Sequence, residues 1–206
     1  ALLPEVVPSA GDLAVTDERV LGAAVPVTGI AGDQQAALVG QGCCEPGLVK
    51  ATYGTGCFAV LHTGTEPIRS GTGLLTTIAY EAGGTCAYAL EGSLFVAGSA
   101  VQWLRDRLGL VPDAAATGAM AARGEARADD IVFVPAFNGL GTPWWDPDAR
   151  GALFGLTLES GRDEIVCALL RSMALQTADL MDAFAADAGI VTRLRVDGGM
   201  VVNDWL

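Results

Sequence analysis

Between residues 48 and 91 the apolar residues of this chain alternate as they do in strands, and from residue 94 onward they recur every three or four positions. That change of period constrains the fold more than any other feature. Leu48-Val49-Lys50-Ala51-Thr52-Tyr53 and Cys57-Phe58-Ala59-Val60-Leu61-His62 flank Gly54-Thr55-Gly56, which predicts a hairpin. Leu74 to Tyr80 and Thr85 to Glu91 predict a second pair around Ala82-Gly83-Gly84. Leu94, Ala97, Val101, Leu104 and Leu108 then form a helical stripe, with Gly109 as its stop. Hairpins followed by strand-helix alternation predict an α/β layered domain, a mixed sheet flanked by helices.

The remaining segments fit that frame. Residues 1 to about 24 read as a loop or a short strand pair, and Val25 to Ile30 as a strand with Pro26 near its start, where a missing N–H is tolerable. That strand delivers Gly32 and Asp33 to its carboxyl end, and Gln34 to Gly40 then has helical character. An Ala-rich helix is expected at about 113–122, a short strand at Ile131–Pro135, and an irregular loop with Trp144 and Trp145 at 138–151. The longest helix is expected from about Arg162 to Ala188, with Ser160 as N-cap, Asp163 completing a capping box and Gly189 as stop. Leu194 to Asp197 reads as a strand entering Gly198-Gly199, where a new helix begins. The chain lacks an initiator Met and that last helix is unfinished, so a piece of a longer protein is expected.

Composition excludes several classes. Half of the residues are hydrophobic and 17% are charged, enough for a sizeable core. No apolar run approaches the ~18 residues of a membrane span, and Ala1-Leu2-Leu3-Pro4-Glu5 does not read as a secretory leader. A net charge of −12 argues against a nucleic-acid or anionic-membrane surface. The five cysteines form no CxxC pair, which fits reduced thiols in a cytoplasmic protein better than disulfides or a zinc site. One histidine, His62, in a strand-like run excludes a polyhistidine metal site and leaves no basis for a Ser-His-Asp triad.

Neither a G-x-x-x-x-G-K-[ST] loop nor a G-x-G-x-x-G turn is present; the single lysine, Lys50, follows a valine. What remains is a chemistry of carboxylates and backbone amides, which suits phosphoryl transfer: the protein positions an alcohol, accepts its proton and screens phosphate charge. Asp33 stands where ligands sit in open α/β sheets, although it also reads as the N-cap of the next helix. Gly54-Thr55-Gly56 reads as an oxyanion-binding turn or as a plain one. Gly98 and Gln102 lie one helical turn apart, and Gly199 and Asn203 repeat the spacing; close helix packing at Gly98 is the alternative reading.

Taken together, Gly29-Ile30-Ala31-Gly32-Asp33-Gln34-Gln35-Ala36-Ala37-Leu38, Thr52-Tyr53-Gly54-Thr55-Gly56-Cys57-Phe58, Gly73 to Ala79, Val101-Gln102-Trp103-Leu104-Arg105-Asp106, Val134-Pro135-Ala136-Phe137 with Gly139-Leu140-Gly141, Trp145-Asp146-Pro147, Ala149-Arg150-Gly151 and Arg195-Val196-Asp197-Gly198-Gly199 closely resemble the glycerol kinases of the FGGY carbohydrate kinases. The resemblance is collinear from about Val25 to the last residue. It implies an actin-like, ribonuclease-H-like ATPase fold. It also implies transfer of phosphate from ATP, with Mg²⁺, to glycerol in a cleft between two domains, and a homo-oligomer when intact. Residues 1–40 would be the tail of the first domain and 47–206 most of the second. By matching positions, Asp33 would be the base, with Gln34 on glycerol and Phe58 against its carbon chain. Thr55 would meet the nucleotide phosphates, Gly98 and Gln102 the phosphate-ribose region, and Gly199 with Asn203 the adenine end; no residue is implied as a direct metal ligand.

The departures carry expectations too. The family's Gly-Thr-Thr-Ser phosphate turn, its Arg-Glu pair and its glycerol-gripping aromatics do not occur, so residues 1–206 alone are expected to be catalytically silent. Gly22-Ala23-Ala24 lacks the arginine of a sugar-bisphosphate loop, and no phosphorylatable histidine lies nearby, so neither control is expected. The Gly-Asp-Gln-Gln form favours glycerol over xylulose or gluconate. Another polyol kinase, and a non-catalytic nucleotide-binding module, are the competing readings.

Overall fold

A computed structural model of the protein describes residues 2–189 and 191–206. The elements in chain order are β1 (Ala10–Val15), α1 (Glu18–Leu21), β2 (Pro26–Gly29), α2 (Asp33–Gly40), β3 (Leu48–Tyr53), β4 (Cys57–Gly64), β5 (Leu75–Ala82), β6 (Thr85–Leu94), α3 (Gly98–Asp106), α4 (Ala116–Gly124), β7 (Val132–Val134), β8 (Ala152–Phe154), α5 (Arg162–Ala188) and β9 (Arg193–Asp197). Short 3₁₀ turns follow at Glu125–Arg127 and Gly199–Val202. Both expected hairpins form, and the central sheet runs β5-β6-β4-β3-β9. Its last pair is parallel, Leu48 opposite Arg193 and Thr52 opposite Asp197, so the sheet is mixed as expected.

Alternation along the strands divides the side chains between two faces. Val49, Ala51 and Tyr53 of β3, with Cys57, Ala59 and Leu61 of β4, enter the large core with α3, α4 and α5. The 27-residue α5 supplies Val166, Leu169, Leu170, Met173, Leu180 and Phe184 to that core. Each such side chain contributes about 1.5–3 kcal/mol through burial. Thr177 donates its hydroxyl to the Met173 carbonyl at 2.8 Å, so in its 2.6 Å contact with Tyr53 the tyrosine is the donor. Burial pushes the Tyr53 phenol up to about 12. The opposite face is covered by α2, whose Leu38 packs with Cys43 on Val60, Ala79, Ala87 and Ala89.

Several boundaries differ from expectation. The N-cap of α5 is Gly161, and Glu164 rather than Asp163 turns back, accepting from the Gly161 N–H at 3.0 Å. Glycine has no side chain, so only this half of a capping box exists. Ser160 instead accepts from the Thr157 N–H at 2.9 Å. Both acids of the first turn meet arginines from the α4 region, Asp163 with Arg123 at 2.7 Å and Glu164 with Arg127 at 2.6 Å. The helix start thus takes two carboxylates where its dipole favours them. Leu94 ends β6 instead of starting α3, because the sheet register reaches it opposite Cys57. Residues 10–29 are an antiparallel pair around a four-residue helix, and Gly199–Val202 is a 3₁₀ turn where an α-helix was expected. The β7-β8 pair closes the end of the 138–151 loop, and β8 had no counterpart in the sequence reading.

Near the end of α5, Asp187 holds the loop before β5. It accepts from Ser70 Oγ at 2.5 Å, Thr72 Oγ1 at 2.8 Å and the Gly71 N–H at 3.0 Å. Burial pushes this carboxyl up, but the bonds from Ser70, Thr72 and Gly71 outweigh it and hold it below its ordinary value. A depressed folded value stabilises above the unfolded pKa of about 3.9 and is lost as pH falls through the folded one. Urea midpoints measured between pH 7 and pH 3 should therefore fall less for Asp187→Asn than for the wild type. Parallel curves would remove this role.

Candidate active site

β2 ends at Gly29, and residues 30–32 lead to the first turn of α2. Gly32 is the N-cap and Asp33 the first helical residue, so the reading of Asp33 as the cap itself is corrected. Its Oδ1 accepts the Gln34 N–H at 2.9 Å and its Oδ2 accepts from Gln34 Nε2 at 3.3 Å, while the carboxylate stays exposed. The helix start therefore orients the carboxylate without burying it, leaving lone pairs for a further partner.

Beneath Gln34 lies a residue that sequence reasoning passed over. Lys50 is 0% exposed, and its ammonium donates to Gln34 Oε1, to Thr52 Oγ1 at 3.2 Å and to the Phe58 carbonyl at 3.2 Å. Burial lowers its pKa, opposed by Asp197, Cys57, Glu91 and Asp33. Glu91 responds in kind: burial raises its carboxyl, Lys50 lowers it and Asp33 raises it further. The signal available in the sequence was a lone lysine between Val49 and Ala51 in an apolar strand. Phe58 lies opposite Thr52 in the ladder, and its own side chain is 40% exposed. Asp33, Gln34 and Phe58, expected to meet one substrate, are thus linked through Lys50.

Thr55, Gly98 and Gly199 come together through a second construction. The carbonyls of the Gly54-Thr55-Gly56 turn cap the start of α3: Gly98 N–H donates to Gly54 O at 2.9 Å and Ser99 N–H to Thr55 O at 3.1 Å, with Ser99 Oγ on the same oxygen at 2.8 Å. The helix approaches so closely that a Cβ at Gly98 would stand 2.6 Å from Gly54 O. Packing of α3 against this turn, rather than against another helix, is what requires a glycine there. Among the described residues the Thr55 and Gly56 N–H groups have no backbone acceptor, and the Thr55 side chain is exposed. Gly198, at φ +95°, lies over the Tyr53 backbone, which brings the Asp197-Gly198-Gly199 turn beside the hairpin. Among the described residues nothing lies within 4 Å of a Cβ placed on Gly199, which leaves space above it.

Gln102 is exposed on α3, one turn after Gly98. Asn203 is already engaged: its Nδ2 donates to Thr117 Oγ1 at 3.2 Å and its Oδ1 accepts the Trp205 N–H at 3.1 Å. It rests against Gly118 of α4, where a Cβ would come 2.6 Å from its Oδ1. Asn203 therefore ties the last segment to α4.

The C-terminal domain of the FGGY family of carbohydrate kinases matches residues 49–206. The chain belongs to the FGGY family. Among FGGY relatives, the glycerol kinase of Alcanivorax borkumensis is 59% identical over 100% of the chain and 41% of its own length. The glycerol kinase of Methylobacterium nodulans is 57% identical, again over 100% of the chain and 41% of its own length. A crystal structure of Plasmodium falciparum glycerol kinase with ADP superposes with a TM-score of 0.89 at 39% identity, over 98% of the chain and 41% of the other. Xylulose kinase from Rhodospirillum rubrum reaches 0.82 at 26% identity, over 98% of the chain and 41% of the other. The actin-like fold expected of an FGGY protein is thus present, and the chain spans about two fifths of the length of these relatives.

Proposed function

We propose that the intact protein is a glycerol kinase, transferring the γ-phosphoryl group of ATP to a terminal hydroxyl of glycerol to give sn-glycerol 3-phosphate. The observation that carries this is the 57–59% identity to glycerol kinases along the whole chain. In this reading residues 1–40 are the tail of one domain and 47–206 most of a second, with the reaction in the cleft between them. The intact protein is cytoplasmic and homo-oligomeric, and no described helix is long and apolar enough to cross a membrane.

The residues suit their parts. Asp33 accepts the proton of the attacking hydroxyl as the oxygen bonds to phosphorus; its exposed carboxylate, oriented by Gln34, has lone pairs free for this. Gln34 orients the alcohol beside it, and the exposed part of Phe58 covers the carbon chain. The Thr55 and Gly56 N–H groups, which have no backbone acceptor among the described residues, suit an anionic phosphate together with the Thr55 hydroxyl. Gly98 and Gln102 line the phosphate-ribose region, and the open surface at Gly199 suits the nucleotide's adenine end, where Asn203 fixes the wall. In this reading Mg²⁺ arrives on the nucleotide phosphates, whose oxygens suit a hard cation. Bound there, Mg²⁺ supplies charge neutralisation on the transferred group.

ADP release by the full-length protein with glycerol, erythritol, xylulose and dihydroxyacetone tests the proposal. Glycerol should lead in kcat/KM by roughly 10²-fold over the weakest of the panel. Preference for another polyol would support the sister-kinase reading, and no turnover with any of them a non-catalytic module.

A further inference from the structure

Lys50 is the chain's only lysine, and it is spent in the middle of a sheet. Its three acceptors, on α2, β3 and β4, are all neutral, and among the described residues it forms no ion pair. An ammonium buried against neutral oxygens is costly, and a hydrocarbon of the same length would suit the sheet better. Three carboxylates, Asp33 on α2, Glu91 on β6 and Asp197 on β9, surround it at longer range and favour its charge. Fold stability therefore does not account for a lysine here.

Its contact with Gln34 does. A carboxamide has one acceptor end and one donor end. Because Lys50 occupies Gln34 Oε1, the Nε2 end is turned to the Asp33 carboxylate, 3.3 Å away. At the other end of α2, Gln41 Nε2 donates to Asp197 Oδ2 at 2.7 Å and Arg195 donates to the Gln41 carbonyl. The helix has one buried apolar anchor, Leu38, between these two polar contacts. We propose that Lys50 is a positioning residue for the phosphoryl acceptor, setting the Gln34 amide and, through it, the Asp33 carboxylate over the sheet. This rests on the reading that Asp33 and Gln34 meet the alcohol.

The test uses Lys50→Met, Gln34→Leu, their combination and Gln34→Glu in the full-length protein. Lys50→Met should raise KM for glycerol about tenfold or more, with KM for ATP within about twofold, because one oriented contact is lost from one substrate only. In the Gln34→Leu background the same change should add less than about twofold, since Lys50 acts through Gln34. Gln34→Glu leaves an acceptor for the ammonium but removes the donor facing Asp33. It should raise KM for glycerol about tenfold or more, a readout that does not depend on Lys50→Met folding. An unchanged KM for glycerol in Lys50→Met, full multiplicative loss in the Gln34→Leu background, or an unchanged KM for glycerol in Gln34→Glu would each overturn the proposal. A wild type that phosphorylates no alcohol would overturn instead the reading beneath it.

Discussion

Asp33→Asn in the intact protein is expected to lower kcat by about 10²–10⁴-fold, the usual contribution of a positioned proton acceptor. Asparagine keeps an oxygen for the Gln34 N–H and is nearly isosteric, so the start of α2 should survive. What disappears is the ability to take a proton. ATP affinity should stay within about twofold, because the turn at Gly54–Gly56 and the start of α3 share no hydrogen bond with Asp33. Steady-state ADP release and calorimetric ATP binding separate the two effects. Turnover at the wild-type rate would remove Asp33 from the chemistry and favour a passive role for it at the helix start.

Gly98→Ala is expected to cost about 1–3 kcal/mol of stability, the range for forcing a methyl into a filled space. The obstruction is backbone, Gly54 O at 2.6 Å, and cannot rotate away as a side chain would. Either α3 or the hairpin turn must move, and the hydrogen bonds from Gly98 and Ser99 to that turn go with it. Because the same turn bears the Thr55 N–H and hydroxyl, KM for ATP should rise about tenfold or more alongside the drop in thermal midpoint. Gln102→Ala supplies the contrast: exposed and one turn away, it should alter KM for ATP with the midpoint held. A Gly98→Ala enzyme with unaltered midpoint and KM would mean that the turn does not need this close approach.

The sheet and α5 were readable because their signals are long. Two hairpins with alternating apolar residues, and a 27-residue helix with a regular stripe, leave little choice of period. The ends were less readable. Leu94 fits the last position of a strand and the first of a helical stripe equally well, and only its pairing opposite Cys57 decides between them. At α5 the serine with Asp163 reads as a capping box, whereas the helix starts at Gly161 with Glu164 turned back, and the arginines that meet the two acids lie 37 and 40 positions away. Within the site, residue types pointed to Asp33 and to the glycine turn, but the division of roles came from family resemblance. Lys50 counted in the sequence only against a phosphate-binding loop, because burial is a property of what packs on top. The helix that covers it lies on the far side of a loop, and no local pattern announces that its second residue will reach down to the strand.

The parallel pairing of β3 with β9 has a further consequence, during synthesis. Residue 48 pairs with residue 193, so the second hairpin, three helices and the β7-β8 pair must be made before that edge of β3 finds its neighbour. At ribosomal rates of about 5–20 residues per second the wait is on the order of ten seconds. For that interval the nascent chain presents a β-rich edge with Val49 and Ala51 in it, the kind of template on which another copy can add a strand. The charge of Lys50 is the one ionic group in that strand, and before α2 docks above it, it is the nearest thing the young sheet has to a guard against misassembly.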